Sequence, residues 1–181
     1  MNLKETPLSQ NYVYKGKIIN MRVDEARLSD GRNAKREVVE HGGGVCVAAL
    51  TENQEILMVK QFRYPYMEVI YEIPAGKRDK NEEPLLCGKR ELLEETGFVA
   101  DTYKDLGQLY PSPGYCSEII WLYAAKNLHY EKQNLDDGEF LEVEKIPFKK
   151  AVNMVLDGEI KDGKTQVAIL KLNQLIENKL F

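Results

Sequence analysis

Between residues 76 and 98, residues able to hold charge or a tight turn recur at fixed intervals: Gly76, Glu82, Arg90, Glu91, Glu94, Glu95 and Gly97. At about 100° per residue, Glu91, Glu94 and Glu95 share one arc of a helix, roughly opposite an arc of Leu85, Leu86, Leu92 and Leu93. Such a helix is expected to bury its leucines and gather its acids on the other face. Carboxylates four residues apart, as at Glu91 and Glu95, repel by about 0.2–0.5 kcal/mol unless a cation lies between them. A hard divalent ion is the economical occupant, because Mg²⁺ takes oxygen ligands and keeps positions open for water and phosphate. Arg90, four residues before Glu94, can orient it, and Glu82 can reach back toward the same arc. The alternative for the acids alone is a solvated helix face.

The elements that must position these residues follow from punctuation and period. Pro84 in the first turn and Gly97 just past the end bound the helix over residues 85–96. Apolar runs at 45–50 and 56–59 flank Thr51-Glu52-Asn53-Gln54 as strand, turn, strand, and residues 119–125 read as another strand. Phe148, Ala151, Val152, Val155 and Leu156 have helical spacing, and residues 165–178 form a last helix. Residues 11–40 alternate apolar and polar stretches around the turn Ser29-Asp30-Gly31-Arg32, which predicts a small antiparallel sheet. Tyr12 and Tyr14, alternating on a strand, are read either as core or as stacking platforms. The fold class expected is α/β (α+β): a mixed β-sheet between helices, with residues 1–40 as an N-terminal sheet subdomain and 41–181 as the main domain. Gly42-Gly43-Gly44 is read as a flexible entry into the first core strand.

Composition narrows the chemistry. The 181 residues carry 25 Lys+Arg against 29 Asp+Glu, a net charge of −4, which offers no broad basic field for nucleic acid. With mean hydropathy −0.44 and no apolar run near the 20 residues a bilayer needs, no membrane span is expected. The first residues, Met1-Asn2-Leu3-Lys4-Glu5-Thr6-Pro7, lack the apolar region of a leader peptide, so the expected location is the cytoplasm. Two histidines and three scattered cysteines, Cys46, Cys87 and Cys116, make neither a zinc site nor a disulfide framework, and the thiols are expected to be buried. A second motif needs weighing, since residues 158–165 satisfy the phosphate-loop pattern GxxxxGK[ST]. A chance match of that pattern has a probability of just under about 1%. A phosphate loop must follow a buried strand and open a helix, whereas residues 148–156 have helical spacing, so a helix–helix turn is expected.

The whole of the first pattern resembles the Nudix box. Gly76, Glu82, Arg90, Glu91, Leu92, Glu94, Glu95, Gly97 and Phe98 fill every fixed position. A chance match in this chain is on the order of 10⁻⁷. Beyond the box the chain is similar to the ADP-ribose pyrophosphatase branch over nearly its whole length. The marks are Lys35-Arg36-Glu37, Val59-Lys60-Gln61-Phe62-Arg63, Glu72-Ile73-Pro74-Ala75-Gly76 and Ser112-Pro113-Gly114. Sugar-nucleotide hydrolases of the same branch, GDP-mannose types included, share the last of these.

The resemblance implies roles. Glu91, Glu95, the Ala75 carbonyl and Glu139 are the implied metal ligands, with Mg²⁺ or, in its place, Mn²⁺. Arg90, Glu94, Asp137 and Glu139 are the implied catalytic residues. The catalytic glutamate of the family's loop falls where this chain has Asp137, one methylene shorter. Arg36, Arg63, Glu72, Pro113 and Gly114 are the implied substrate-binding residues, and either arginine has the alternative of a surface ion pair. The implied reaction is hydrolysis of ADP-ribose to AMP and ribose 5-phosphate, with another nucleoside diphosphate sugar as the alternative substrate and a non-catalytic nucleotide sensor as the alternative class. A homodimer is implied, in which the N-terminal sheet helps build the partner's adenosine pocket.

Overall fold

The computed structural model describes residues 2–135, 137, 138 and 140–181. The chain divides into two compact units, residues 1–43 with 110–119, and residues 44–109 with 120–181.

The first unit is a meander of β1 (Thr6–Lys15), β2 (Ile19–Arg27) and β3 (Asn33–His41), antiparallel throughout. The turn predicted at Ser29 to Arg32 closes the second hairpin, with Gly31 at φ 89 and its N–H donating to the Leu28 carbonyl at 3.0 Å. That left-handed conformation suits glycine because it has no Cβ to clash. Every residue of β1 is exposed, Tyr12 and Tyr14 by 46% and 57%, so the core alternative for these two tyrosines fails. The segment 110–119 belongs to this unit through Val39, whose N–H donates to the Tyr115 carbonyl at 2.8 Å and whose carbonyl accepts from Ser117 at 2.9 Å.

The second unit contains two sheets and three helices. β4 (Gly44–Ala49), β7 (Ala75–Lys77), β8 (Phe98–Leu109) and β9 (Ile120–Tyr130) form a sheet in the order β7-β4-β9-β8, with β4 and β9 parallel and the other pairs antiparallel. β5 (Glu55–Arg63), β6 (Glu68–Glu72) and β10 (Leu141–Pro147) form the other, in the order β10-β5-β6. The turn at residues 51–54 thus hands the chain from one sheet to the other. Helices α1 (Pro84–Thr96), α2 (Phe148–Leu156) and α3 (Gly163–Glu177) complete it. Among the described residues no helix is long and apolar enough to cross a membrane.

β4 shows why the helices lie on opposite faces of its sheet. All six of its residues are buried. Side chains alternate along a strand. Val45, Val47 and Ala49 pack with Cys87 and Leu92 of α1, whereas Cys46 and Ala48 pack with Ala168, Ile169 and Leu172 of α3. The expected mixed sheet between helices is therefore observed. Gly44 also has a packing reason that flexibility misses, since a Cβ there would stand 3.0 Å from the Gly76 carbonyl oxygen.

Helix α1 begins and ends where its punctuation predicts. Pro84 occupies the first turn, the Glu83 side chain accepts from the Leu86 N–H, and Gly97 closes the helix at φ 75. Its buried face differs from expectation. Leu86 is 59% exposed, and the buried residues are Cys87, Gly88, Leu92, Glu95 and Thr96. Gly88 explains the rotation, because a Cβ there would meet Val45 Cγ1 at 3.0 Å and Val47 Cγ2 at 3.2 Å. The missing side chain lets the helix backbone close on β4, which turns the face carrying Glu95 inward. Cys46 and Cys87 are buried as expected, and Cys116 is half-buried. Burial pushes the Cys87 thiol up to about 12.

Candidate functional site

Arg90 organises the acids of α1. Its Nε donates to Glu82 Oε1 at 3.0 Å and Nη2 to Glu82 Oε2 at 3.1 Å, while Nη1 donates to Glu91 Oε1 at 2.7 Å and Glu94 Oε2 at 2.8 Å. Nη2 also donates to the Lys77 carbonyl at 3.2 Å, which ties the guanidinium to β7. Three carboxyl groups share one planar cation, whose fork of donors suits such multiple contacts. The Arg90 hydrogen bonds pull Glu82 down to about 2, and Glu82 in turn raises the Arg90 pKa. Side-chain exposure runs from 13% at Glu91 to 26% at Glu94, so Glu94 is the more open of these two.

Glu91 and Glu95 face β7. A Cβ on Gly76 would fall 1.9 Å from Glu91 Cδ, so the Glu91 carboxylate occupies the space that only glycine leaves free. Glu95 is 2% exposed, and its Oε2 accepts from the Ala75 N–H at 2.9 Å. The glycine and the two glutamates are thus one packing arrangement.

The last residue of β6, three before Ala75, is anchored by other elements. Glu72, 1% exposed, is gripped through both oxygens by Arg63, with Nη2 to Oε2 at 2.8 Å, and also pairs with Lys164. Burial alone would raise the Glu72 carboxyl, but Arg63 and Lys164 outweigh it and hold it below its ordinary value. Burial alone would lower Lys164, and Glu72 and Asp162 outweigh that and raise it. Lys164 and Thr165 come from the phosphate-loop pattern. Helix α2 precedes them and Asp162 caps α3, accepting from the Thr165 N–H at 3.0 Å. No strand leads into this turn, so the phosphate-loop reading is excluded and the helix–helix turn is observed. Nothing in the pattern at 158–165 signals the pairing with Glu72, 92 residues away in sequence.

The remaining predicted positions are divided. Arg36 lies in the first unit and pairs with Glu5 through Nε and Nη2 at 2.9 and 2.6 Å. Pro113 and Gly114 form an exposed turn in that same unit. Asp137 is an exposed turn residue, and Glu139 lies outside the described residues. The chain leading to Asp137 is tied to the end of α1, with Glu131 N–H donating to the Gly97 carbonyl at 2.8 Å and Asn134 N–H to the Glu94 carbonyl at 3.0 Å. Three residues further on, the Asp137 Cα is within about 11 Å of the Asn134 Cα.

The donor chemistry fits a hard divalent cation. Glu91 and Glu95 offer carboxylate oxygens one helical turn apart, packed against strand β7 at Gly76 and Ala75. Among the described residues no three His, Cys, Asp or Glu side chains enclose an ion by themselves.

The chain is similar to known proteins over nearly its whole length. Residues 40–166 match the NUDIX domain family, and residues 5–39 match the nucleoside diphosphate sugar hydrolase N-terminal domain. The chain is 39% identical over 180 residues to an ADP-ribose pyrophosphatase of Bacillus subtilis (strain 168), covering 97% of each chain. It is 36% identical over 181 residues to a methanol dehydrogenase activator of Bacillus methanolicus, again covering 97% of each. It is 37% identical over 151 residues to a GDP-mannose pyrophosphatase of Yersinia enterocolitica, covering 77% of this chain and 78% of that one. Among solved structures, an ADP compounds hydrolase superposes with a TM-score of 0.87 at 18% identity, covering 99% of this chain and 98% of that one, which speaks to the fold. With the box residues assembled around Arg90 and Gly76, and a family match over more than half its length, the chain belongs to the Nudix family.

Proposed function

We propose that the protein hydrolyses the pyrophosphate bond of ADP-ribose to give AMP and ribose 5-phosphate, using Mg²⁺, or Mn²⁺ in its place. The observation that carries this reading is the arrangement of Glu91 and Glu95 against Gly76 and Ala75, with Arg90 fixing the neighbouring carboxylates. The high similarity to an ADP-ribose pyrophosphatase supports the choice of substrate. In the reaction a water oxygen bonds to one phosphorus, the bridging P–O bond breaks, and the proton of the water passes to a carboxylate.

Glu91 and Glu95, with the Ala75 carbonyl and Glu139, would hold the metal. Bound there, Mg²⁺ supplies charge neutralisation of the phosphate oxygens and a lower pKa for coordinated water. Arg90 keeps Glu91 and Glu94 oriented, so that neither must reorganise during the reaction. Glu94 and Asp137 are the described candidates for receiving the proton, and Glu139 is the other loop candidate. Arg63, half-exposed while it holds Glu72, and Arg36 are planar donors suited to phosphate. Glu72, Pro113 and Gly114 are assigned to substrate binding on the resemblance alone.

GDP-mannose is the second reading, favoured by the 37% identical relative and by the N-terminal family match. The protein is further proposed to be a cytoplasmic homodimer whose N-terminal sheet completes the partner's nucleoside pocket. Release of phosphate in a phosphatase-coupled assay over ADP-ribose, GDP-mannose, ADP-glucose, diadenosine polyphosphates and nucleoside triphosphates tests substrate choice. ADP-ribose is expected to give the highest kcat/KM. A higher value for GDP-mannose would transfer the assignment to it, and inactivity on all of them would favour a sensor.

A further inference from the structure

We propose that the turn joining α2 to α3 positions the metal-facing strand β7, with Lys164 and Thr165 as positioning residues that act through residues 72–75. The proposal rests on the hydrolase reading above for its kinetic arm only. Residues 72–75 are held one after another by different elements. The Glu72 carboxylate is held by Arg63 of β5 and Lys164 of α3. The Ile73 N–H donates to Thr165 Oγ1 at 2.9 Å, the Pro74 carbonyl accepts from the Val47 N–H of β4 at 2.9 Å, and the Ala75 N–H donates to Glu95 Oε2 at 2.9 Å. Ile73 and Pro74 belong to no strand, and proline has no N–H to give a ladder, so these contacts replace the sheet bonds that would otherwise set the path.

The α3 turn is itself tightly defined. Thr165, fully buried, donates its hydroxyl to Asp162 Oδ2 at 2.6 Å, which aims a lone pair at the Ile73 N–H. Lys164 places its ammonium between Glu72 and Asp162, 3.0 Å from Asp162 Oδ2. A buried ion pair adds little net stability over an apolar replacement of the same volume, because desolvation offsets the attraction. Directionality is what such a set provides, and here it is directed at Glu72 and Ile73, just ahead of Pro74 and Ala75. A shift of this segment displaces the Ala75 carbonyl and releases Glu95 together.

The test uses the full-length protein with Thr165→Val, Thr165→Ser, Lys164→Met and Asp162→Asn, the last of which retains a good N-cap. Mn²⁺ binding is measured by EPR without substrate, Ala75 amide exchange by NMR, and kcat and the MgCl₂ concentration for half-activity with ADP-ribose. Thr165→Val and Lys164→Met are expected to weaken Mn²⁺ binding by about 10-fold, the scale seen when partners of metal ligands are removed, and to raise the half-activating MgCl₂ in proportion. Ala75 exchange should quicken, and Thr165→Ser should restore binding to within about twofold of wild type. Variants with lowered Tm but Mn²⁺ affinity, Ala75 exchange and half-activating MgCl₂ within about twofold of wild type would overturn the proposal. Should Thr165→Val fail to fold, Lys164→Met and Asp162→Asn carry the same comparison. Wild-type protein inactive on every nucleoside diphosphate sugar would sink the hydrolase reading alone, and the Mn²⁺ and exchange measurements would still decide this one.

Discussion

Single side chains in this site have separable consequences because their packing differs. Gly76→Ala places a methyl group where the Glu91 carboxylate lies, 1.9 Å from its Cδ. The obstacle is the far end of a flexible side chain, so the fold should survive while Glu91 is driven out of place. Gly76→Ala is therefore expected to lower kcat/KM by about 100-fold, in line with loss of a well-positioned charged group, while Tm moves by only a few degrees. Parallel activity and thermal-melt measurements check it; unchanged activity would show that Glu91 acts from another position. Glu95→Gln keeps the shape and an acceptor for the Ala75 N–H but removes the charge, and should cost about 10³-fold in kcat even with Mg²⁺ saturating. Glu94→Gln, which perturbs an oriented neighbour on Arg90, should cost less and be partly rescued by added Mg²⁺. A loss below about tenfold for Glu95→Gln would remove it from the metal site.

At the level of elements, the junction of β6, β7 and α3 ties stability to pH. Glu72 is held below its ordinary value of 4.5, so its contribution is complete above about pH 4.5 and is lost as the pH falls through its folded-state value. Lys164 is raised above 10.5, so its contribution is complete below about pH 10.5 and is lost as the pH rises through its folded-state value. Lys164→Met removes one of the two cations that counter burial at Glu72, leaving Arg63. The folded-state pKa of Glu72 then rises, and the acid limb of the Tm-against-pH curve should move to higher pH. Breaking a buried pair from one side costs about 3–5 kcal/mol; with Arg63 still in place a loss of about 2 kcal/mol near pH 7 is expected. Tm measured from pH 3 to 7 for both proteins checks the shift, and parallel curves would mean that Lys164 is not coupled to Glu72.

For the whole molecule, the first unit presents ten consecutive exposed residues in β1, with Val13 and Tyr14 exposed by 59% and 57%. A small sheet with an open edge and exposed apolar side chains is marginal alone and is a template for pairing. If it completes a partner's nucleoside pocket, deleting residues 1–40 should abolish both dimerisation and activity. Sedimentation and steady-state kinetics on the truncated protein check this. A truncated monomer with normal KM would refute the dimer assignment.

Features governed by neighbours in the chain are legible in the sequence alone. Pro84 and Gly97 bound α1 because their φ preferences act locally, and the spacing of Phe148, Ala151, Val152 and Val155 marks α2 because a helix repeats every 3.6 residues. The box itself is readable as a pattern because its residues lie on one short continuous stretch of chain, from β7 through a loop and α1 to the first residue of β8. Strands β6, β7, β8 and β10 leave no clear period, since all four are sheet edges whose residues are mostly exposed or half-buried. Only the tertiary structure shows that α1 turns about Gly88, which buries Glu95 and exposes Leu86. Likewise, only the fold makes Lys164 and Thr165 companions of Glu72 and Ile73 across 92 residues. Periodicity describes how a segment repeats along its own axis and says nothing of which distant backbone comes close enough to require a missing side chain or a buried charge.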